Sequence, residues 1–229
     1  MTLINLGDTL PDTAADLLTR SVVQVQKYKQ HVLLAVSGGQ SIGTILDRFI
    51  LKKISWQNIH IFMADERVVA LDHLLCNYQI IKKHLVDPLV QYHRFPKENA
   101  HPFVYEDRND LPCQIAAYQQ TLDRLGKAFD VVLLSAGEDG HICSLFPNHD
   151  SINNNDDTYI HVNNAPKDPS ERISLSKRQL LKANTAILIF DGIHKKKAFE
   201  KFCDNKIDEF RCPAKLVMNV THKYVLTSF

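Results

Sequence analysis

The chain has 229 residues, with 27 Lys+Arg against 26 Asp+Glu, for a formal charge of +1. Apolar residues at 45% and charged residues at 23% suit an ordinary soluble globular protein and exclude disordered, collagen-like and coiled-coil chains. The near-neutral balance supplies no bulk attraction to nucleic acid or to an anionic membrane. The chain holds 8 glycines, where an average composition would give about 16. Each is therefore a candidate for a backbone position that few other residues fill.

Five cysteines (Cys76, Cys113, Cys143, Cys203 and Cys212) form no CxxC pair, so reduced thiols in the cytoplasm are expected rather than a disulfide framework or zinc site. Residues 1–20 lack a basic segment followed by an apolar run, so no signal peptide is expected. The apolar stretches of five or six residues are far too short for a membrane span. One domain over residues 1–229 is expected. The sequence leaves the oligomeric state open, with a monomer favoured.

The predicted elements run as follows. A helix follows Asp12, with Leu17, Leu18, Val22 and Val25 on one face. His31 to Val36 reads as a buried strand stopped by Ser37-Gly38-Gly39. Residues 41–53 read as a helix, and Ile59 to Met63 as a strand closed by Ala64-Asp65-Glu66-Arg67. A helix is expected over 75–86, a long loop over 88–110 and a helix over 111–126. Phe129 to Ser135 is a clean buried strand that runs into Gly137-Glu138-Asp139-Gly140-His141. Residues 148–170 read mostly as loop, with a strand at 159–162. A strand over 186–190 ends at Asp191-Gly192, and a helix follows over 193–203. Strands are expected at 216–220 and 224–227.

Buried strands alternating with helices indicate an α/β fold with a largely parallel sheet. Ligands bind such sheets at the carboxyl ends of the strands. Four strand ends carry polar or glycine-bearing sequence, at 37–41, 64–67, 135–141 and 191–195.

Ser37-Gly38-Gly39-Gln40-Ser41 lies between a strand and a helix. Adjacent glycines let backbone N–H groups turn inward beside a helix N-terminus, which suits a phosphate. The same segment also suits a plain strand-to-helix turn. It is neither a Walker A loop nor GxGxxG, so no dinucleotide is implied. Asp65, Glu66 and Arg67 supply two acids and a base, which equally describes a surface ion-pair cluster. His141, framed by two glycines just past a buried strand, is a candidate general base. Asp139 or Asp65 could orient it. Arg172 and Lys195 are candidate phosphate clamps, although most basic residues are solvated surface charge. Cys143 reads as packing.

Taken in order, these segments, with Asn77-Tyr78, Ile142-Cys143-Ser144-Leu145-Phe146-Pro147, Glu171-Arg172-Ile173-Ser174-Leu175 and Gly192-Ile193-His194-Lys195, resemble the glucosamine-6-phosphate isomerase/6-phosphogluconolactonase family. The resemblance spans about residues 32–200, and the Asp-Gly-His…Ser-Leu-Phe-Pro run is its most specific part. It implies a Rossmann-like, mostly parallel sheet flanked by helices, similar to the glucosamine-6-phosphate deaminase fold. It further implies hydrolysis of 6-phosphoglucono-1,5-lactone in the pentose phosphate pathway, with no metal or organic cofactor. The family's general base falls on His141 and its companion aspartate on Asp139. Its substrate-contacting positions fall on Ser37, Gly38, Gly39, Gln40, Ser41, Arg67, Arg172 and Lys195.

The chain departs from the family pattern at Ile42 (commonly proline), Ala64 (glycine), Cys76 (serine) and Glu138 (proline). Glucosamine-6-phosphate deaminases continue past Asp-Gly-His with Phe-Asn-Glu-Pro, whereas Ser144-Leu145-Phe146-Pro147 carries no such acid. A deaminase/isomerase and a non-catalytic sugar-phosphate-binding protein are the alternatives to the lactonase.

Overall fold

The computed structural model describes residues 3–106 and 110–229. Its elements are β1 (Leu3–Asn5), α1 (Leu10–Gln26), β2 (Val32–Val36), α2 (Gln40–Phe49), β3 (Ile59–Met63), β4 (Asp65–Arg67), α3 (Tyr78–Ile81), α4 (Asp87–Gln91), β5 (Ala100–His101), α5 (Leu111–Leu125), β6 (Val131–Ser135), β7 (Tyr159–Val162), β8 (Arg172–Leu175), α6 (Lys177–Leu181), β9 (Thr185–Phe190), α7 (Lys196–Cys203) and β10 (His222–Thr227). Among the described residues, seven strands form one sheet in the order β1-β10-β9-β6-β2-β3-β5. Every pairing in it is parallel. A second sheet, β4-β8-β7, is antiparallel.

The apolar strands are explained by two-sided burial. On β2, Leu33 and Ala35 face one core while Val32, Leu34 and Val36 face the other. β6 and β9 alternate in the same way, with Val132, Leu134 and Leu188 on the first side and Val131, Leu133 and Ile187 on the second. A strand covered on both faces has no solvent side to mark with polar residues. α1 and α2 cover the second side, through Leu18, Val22, Ile42, Ile45 and Leu46. α5, α7 and the small sheet cover the first, through Leu122, Phe202 and Ile173. Ile42, one of the departures from the family pattern, is fully buried there.

The order reverses at β2. The chain passes from β2 to β3 on one side, and β6 later adds on the other. The gap between the carboxyl ends of β2 and β6 is thus the topological switch point, where open α/β sheets hold ligands.

Several expectations require correction. The first helix starts at Leu10, with Thr9 as its cap. Asp12 lies within the first turn and faces Arg48 at 3.4 Å. The helix expected over 41–53 ends at Phe49. The helix expected over 75–86 begins at Tyr78, passes through a π-helical turn over Lys82–Val86 and continues as α4. Pro88 directly follows the π-helical turn, and the helix runs on past it to Gln91, so the expected loop starts later and also holds β5. The strand expected over 216–220 is a 3-10 segment, Pro213–Asn219, which proline initiates. The ladders of β1, β4 and β8 had no periodic signal in segments this short.

At the β5 edge, three histidines form a chain. His60 Nε2 lies 3.2 Å from His31 Nδ1, and His60 Nδ1 lies 3.0 Å from His101 Nε2. The His60 and His101 rings are within 11° of parallel, with centroids 5.3 Å apart.

Candidate active site

Four loops at the carboxyl ends of β2, β3, β6 and β9, together with the segment between β7 and β8 and the start of β8, enclose a cavity of about 380 Å³ at the switch point. Main-chain bonds tie their roots together. Ser37 N donates to Leu133 O, Ala64 N to Val36 O and Ala136 N to Ile189 O.

The first loop contributes Ser37, Gly38 and Gly39 to the cavity wall. Gly39 has φ +114, in the region that favours glycine, and caps α2. A Cβ on Gly38 would lie 1.9 Å from Asn77 Oδ1. Ser37 is buried, and its Oγ accepts the N–H of Ser135 at 2.9 Å. Its hydroxyl therefore joins β2 to β6 as well as facing the cavity. Gln40 and Ser41 open α2 and are not part of the wall. Their first-turn N–H groups have no carbonyl within the helix to bond.

Asn77, a further wall residue, is held by Glu66. The Glu66 carboxylate accepts N–H bonds from Asn77 (2.6 Å), Arg67 (2.7 Å) and Tyr78 (2.7 Å). Burial raises the Glu66 pKa to about 6, and these three N–H groups limit the rise. Asn77 Nδ2 donates to Asp65 O at 3.1 Å. Glu66 thus acts from behind the wall, bracing the loop that presses Asn77 onto Gly38.

β4 pairs with β8 so that Asp65 lies opposite Ser174 and Arg67 opposite Arg172. This register brings Asp65, Arg67 and Arg172 to one wall. Asp65 Oδ2 accepts from Ser144 Oγ at 2.8 Å. Arg67 Nη1 donates to Leu75 O, while its buried Nε has no partner among the described residues. Arg172 is buried, lies over the Phe146 ring and donates to three carbonyls. Nε bonds Pro169 O at 3.0 Å, and Nη2 bonds Lys167 O at 3.0 Å and Asp168 O at 3.3 Å. Most of its fork holds the 167–169 loop, which limits what it can give a phosphate.

The β6 loop presents the histidine. Gly137 N donates to His141 O at 2.8 Å, and Gly140 has φ +97. The His141 ring lies directly over Gly137, where a Cβ would come within 2.0 Å of Cε1. His141 Nδ1 is 2.6 Å from Asp139 Oδ1, which also accepts His141 N at 3.1 Å. An ionised carboxylate only accepts, so the pairing assigns a proton to Nδ1, and in the neutral imidazole Nε2 then carries the lone pair. Burial opposes ionisation of Asp139. The hydrogen bonds from His141, its positive charge whenever the ring is protonated, and Lys167 beyond outweigh it and hold the carboxyl well below the usual range. Of the two carboxylates considered as orienting groups, Asp139 holds the histidine, and Asp65 is engaged with Ser144 instead.

Lys195, presented by the turn after Gly192, donates to Ser135 Oγ at 2.7 Å. Burial lowers its pKa, opposed by Asp191 and Glu138 and reinforced slightly by the nearby charge of Lys167. Cys143 packs in the core yet also reaches the wall. Ser135, Lys167 and Asp168 are wall residues that the sequence reading did not select, while Glu138, one of the departures from the family pattern, lines the wall as well. Ser135 ends a strand that was recognised, so its position was available. Lys167 lies in an aperiodic stretch whose only marks are its prolines.

Residues 7–226 match the family described as glucosamine-6-phosphate isomerases/6-phosphogluconolactonase. The chain belongs to this family. A 6-phosphogluconolactonase of Borreliella burgdorferi is 32% identical over 199 residues, covering 87% of this chain and 84% of that protein. A crystal structure of a 6-phosphogluconolactonase from Shewanella baltica superimposes with a TM-score of 0.84 at 22% identity, covering 99% of this chain and 96% of that one. A monomeric glucosamine-6-phosphate deaminase superimposes with a TM-score of 0.79 at 20% identity, over 99% and 97% of the two chains. The family fold is therefore the mostly parallel sheet flanked by helices that the sequence resemblance implies. Among the described residues, no helix is long and apolar enough to cross a membrane.

Proposed function

We propose that this chain hydrolyses 6-phospho-D-glucono-1,5-lactone to 6-phospho-D-gluconate, with His141 as general base. The observation that carries this reading is the Asp139–His141 pair, 2.6 Å apart at the wall of a cavity that also holds the Gly38-Gly39 turn and Lys195. Curated relatives named as 6-phosphogluconolactonases support the choice of substrate.

A lactone is an activated ester, so water can attack it without a covalent intermediate. His141 Nε2 takes one proton from the water as its oxygen bonds the carbonyl carbon. The carbonyl electron pair moves onto oxygen, where a hydrogen-bond donor lowers the barrier. When the pair returns, the ring C–O bond breaks and the His141 proton passes to the leaving oxygen. The new carboxylic acid loses its remaining proton to solvent. Asp139 keeps the ring oriented and stabilises its transient charge. Gly38, Gly39, the first turn of α2 and Lys195 bind the phosphate and so fix the lactone beside His141.

The deaminase alternative lacks its acid, since residues 142–147 hold no carboxylate and Ser144 is buried against Asp65. The test is lactone hydrolysis at neutral pH, with the spontaneous rate subtracted. Wild type must exceed the background. His141→Ala should lose about 10²–10⁴-fold of the catalysed rate, with an unchanged circular dichroism spectrum. No excess from wild type would leave a sugar-phosphate-binding protein.

A further inference from the structure

Four cationic side chains reach the cavity: Arg67, Lys167, Arg172 and Lys195. Three are engaged by the fold. Arg67 donates to Leu75 O, Arg172 to three carbonyls of the 167–169 loop, and Lys195 to Ser135 Oγ. Lys167 differs. Its ammonium lies 3.9 Å from Asp139 Oδ2, too long for a hydrogen bond, and its side chain is 45% exposed. A half-exposed pair at that distance is weak, so substrate can displace it at little cost.

The position of Lys167 is nonetheless defined. Arg172 holds the Lys167, Asp168 and Pro169 carbonyls from inside the protein. The buried guanidinium thus sets the backbone, and the flexible four-carbon stem is left to move over the cavity. Lys167 is also the cation that pairs with Asp139, the partner of His141. Lys195 stands instead with Ser135, beside Gly39, whose added Cβ would lie 3.8 Å from Ser135 Oγ. Lys167 and Lys195 lie near enough for their charges to oppose each other, yet they pair with different groups, Lys167 with Asp139 and Lys195 with Ser135.

We infer that Lys167 is a catalytic residue of the lactone hydrolysis proposed above, moving from Asp139 to donate a hydrogen bond to the carbonyl oxygen as negative charge develops on it. The ammonium keeps all its protons. The bond to oxygen strengthens as water adds and weakens as the ring C–O bond breaks. Arg172 is then a positioning residue, acting through the loop that carries Lys167. Charge stabilisation of this kind is realised mainly in the transition state.

The inference rests on the lactonase reading, and its test separates the two. Kinetics of lactone hydrolysis are compared for wild type, Lys167→Met and Lys167→Arg, with inorganic phosphate as a competitive inhibitor. Lys167→Met should lower kcat and kcat/KM together by about 10²-fold, the size expected for one lost donor. Its inhibition by phosphate should not change, and Lys167→Arg should recover most of kcat. The half-exposed position allows both variants to fold, which circular dichroism checks. An active wild type with an unaffected Lys167→Met overturns this assignment alone. So does a loss confined to KM with weaker phosphate inhibition, which would put Lys167 on the phosphate. A wild type no faster than the background overturns the lactonase reading and this assignment with it.

Discussion

Gly137 matters for what it lacks. The His141 imidazole occupies the space that a Cβ would fill, 2.0 Å from Cε1 and 2.1 Å from Nδ1. The Asp139 carboxylate would also lie 2.8 Å from that atom. An alanine there must push the ring off its partner. Gly137→Ala should therefore cost about 10²-fold in lactone hydrolysis, the scale of a 1 Å misplacement. Thermal unfolding should change little, because the residue is at the cavity wall and not in the core. A fully active Gly137→Ala would contradict the ring placement. The sequence marked Gly137 and His141 as neighbours in a motif. That one lies on the other follows from the turn, which returns the chain through the Gly137 N–H bond to His141 O.

Single elements carry two devices that residue patterns did not announce. β4 is three residues long and brings Asp65 and Arg67 to the wall by pairing with β8. The Asp-Glu-Arg run was legible as a strand-end cluster, but a partner more than a hundred residues away was not. The second device joins β3, β5 and the residue just before β2 through His60, His101 and His31. Burial lowers the pKa of His60, with His31 as its charged neighbour. Burial likewise lowers that of His101, to about 4, with His60 as its charged neighbour. The folded chain then binds fewer protons at these rings than the unfolded chain does. Their stabilisation is complete above about pH 6.5 and is lost as pH falls toward 4. Urea midpoints measured across that window should fall more steeply for wild type than for His60→Asn/His101→Asn. Parallel pH profiles would rule the pair out as the source.

At the scale of the molecule, the two cores meet through the sheet, and Phe62 shows how far one side chain reaches. It is fully buried on β3 and contacts His101 of β5, Tyr118 of α5 and Phe129 before β6, with centroids 4.3, 5.7 and 5.6 Å away. Phe62→Ala should cost about 3–5 kcal/mol in denaturant unfolding, from lost burial and the cavity left behind. Its kcat at low temperature should stay near wild type, because Phe62 is not part of the cavity wall. A cost below 1 kcal/mol would mean that this face of the sheet is loosely packed.

The alternation of apolar strands with helices was readable from the sequence because two-sided burial leaves no polar positions in a strand. The glycine-bearing ends of β2, β6 and β9 were readable for a related reason. A chain with only 8 glycines places five of them, Gly38, Gly39, Gly137, Gly140 and Gly192, in those turns. The family followed from the motifs in order. Only the tertiary structure decided which groups meet. It paired Asp139 rather than Asp65 with His141, and kept Gln40 and Ser41 off the wall. It also turned most of Arg172 toward a loop and brought Lys167 to Asp139. Local pattern reports the period and burial of one segment, whereas a site is made by contacts between segments distant in the chain. Strand order and register set those contacts.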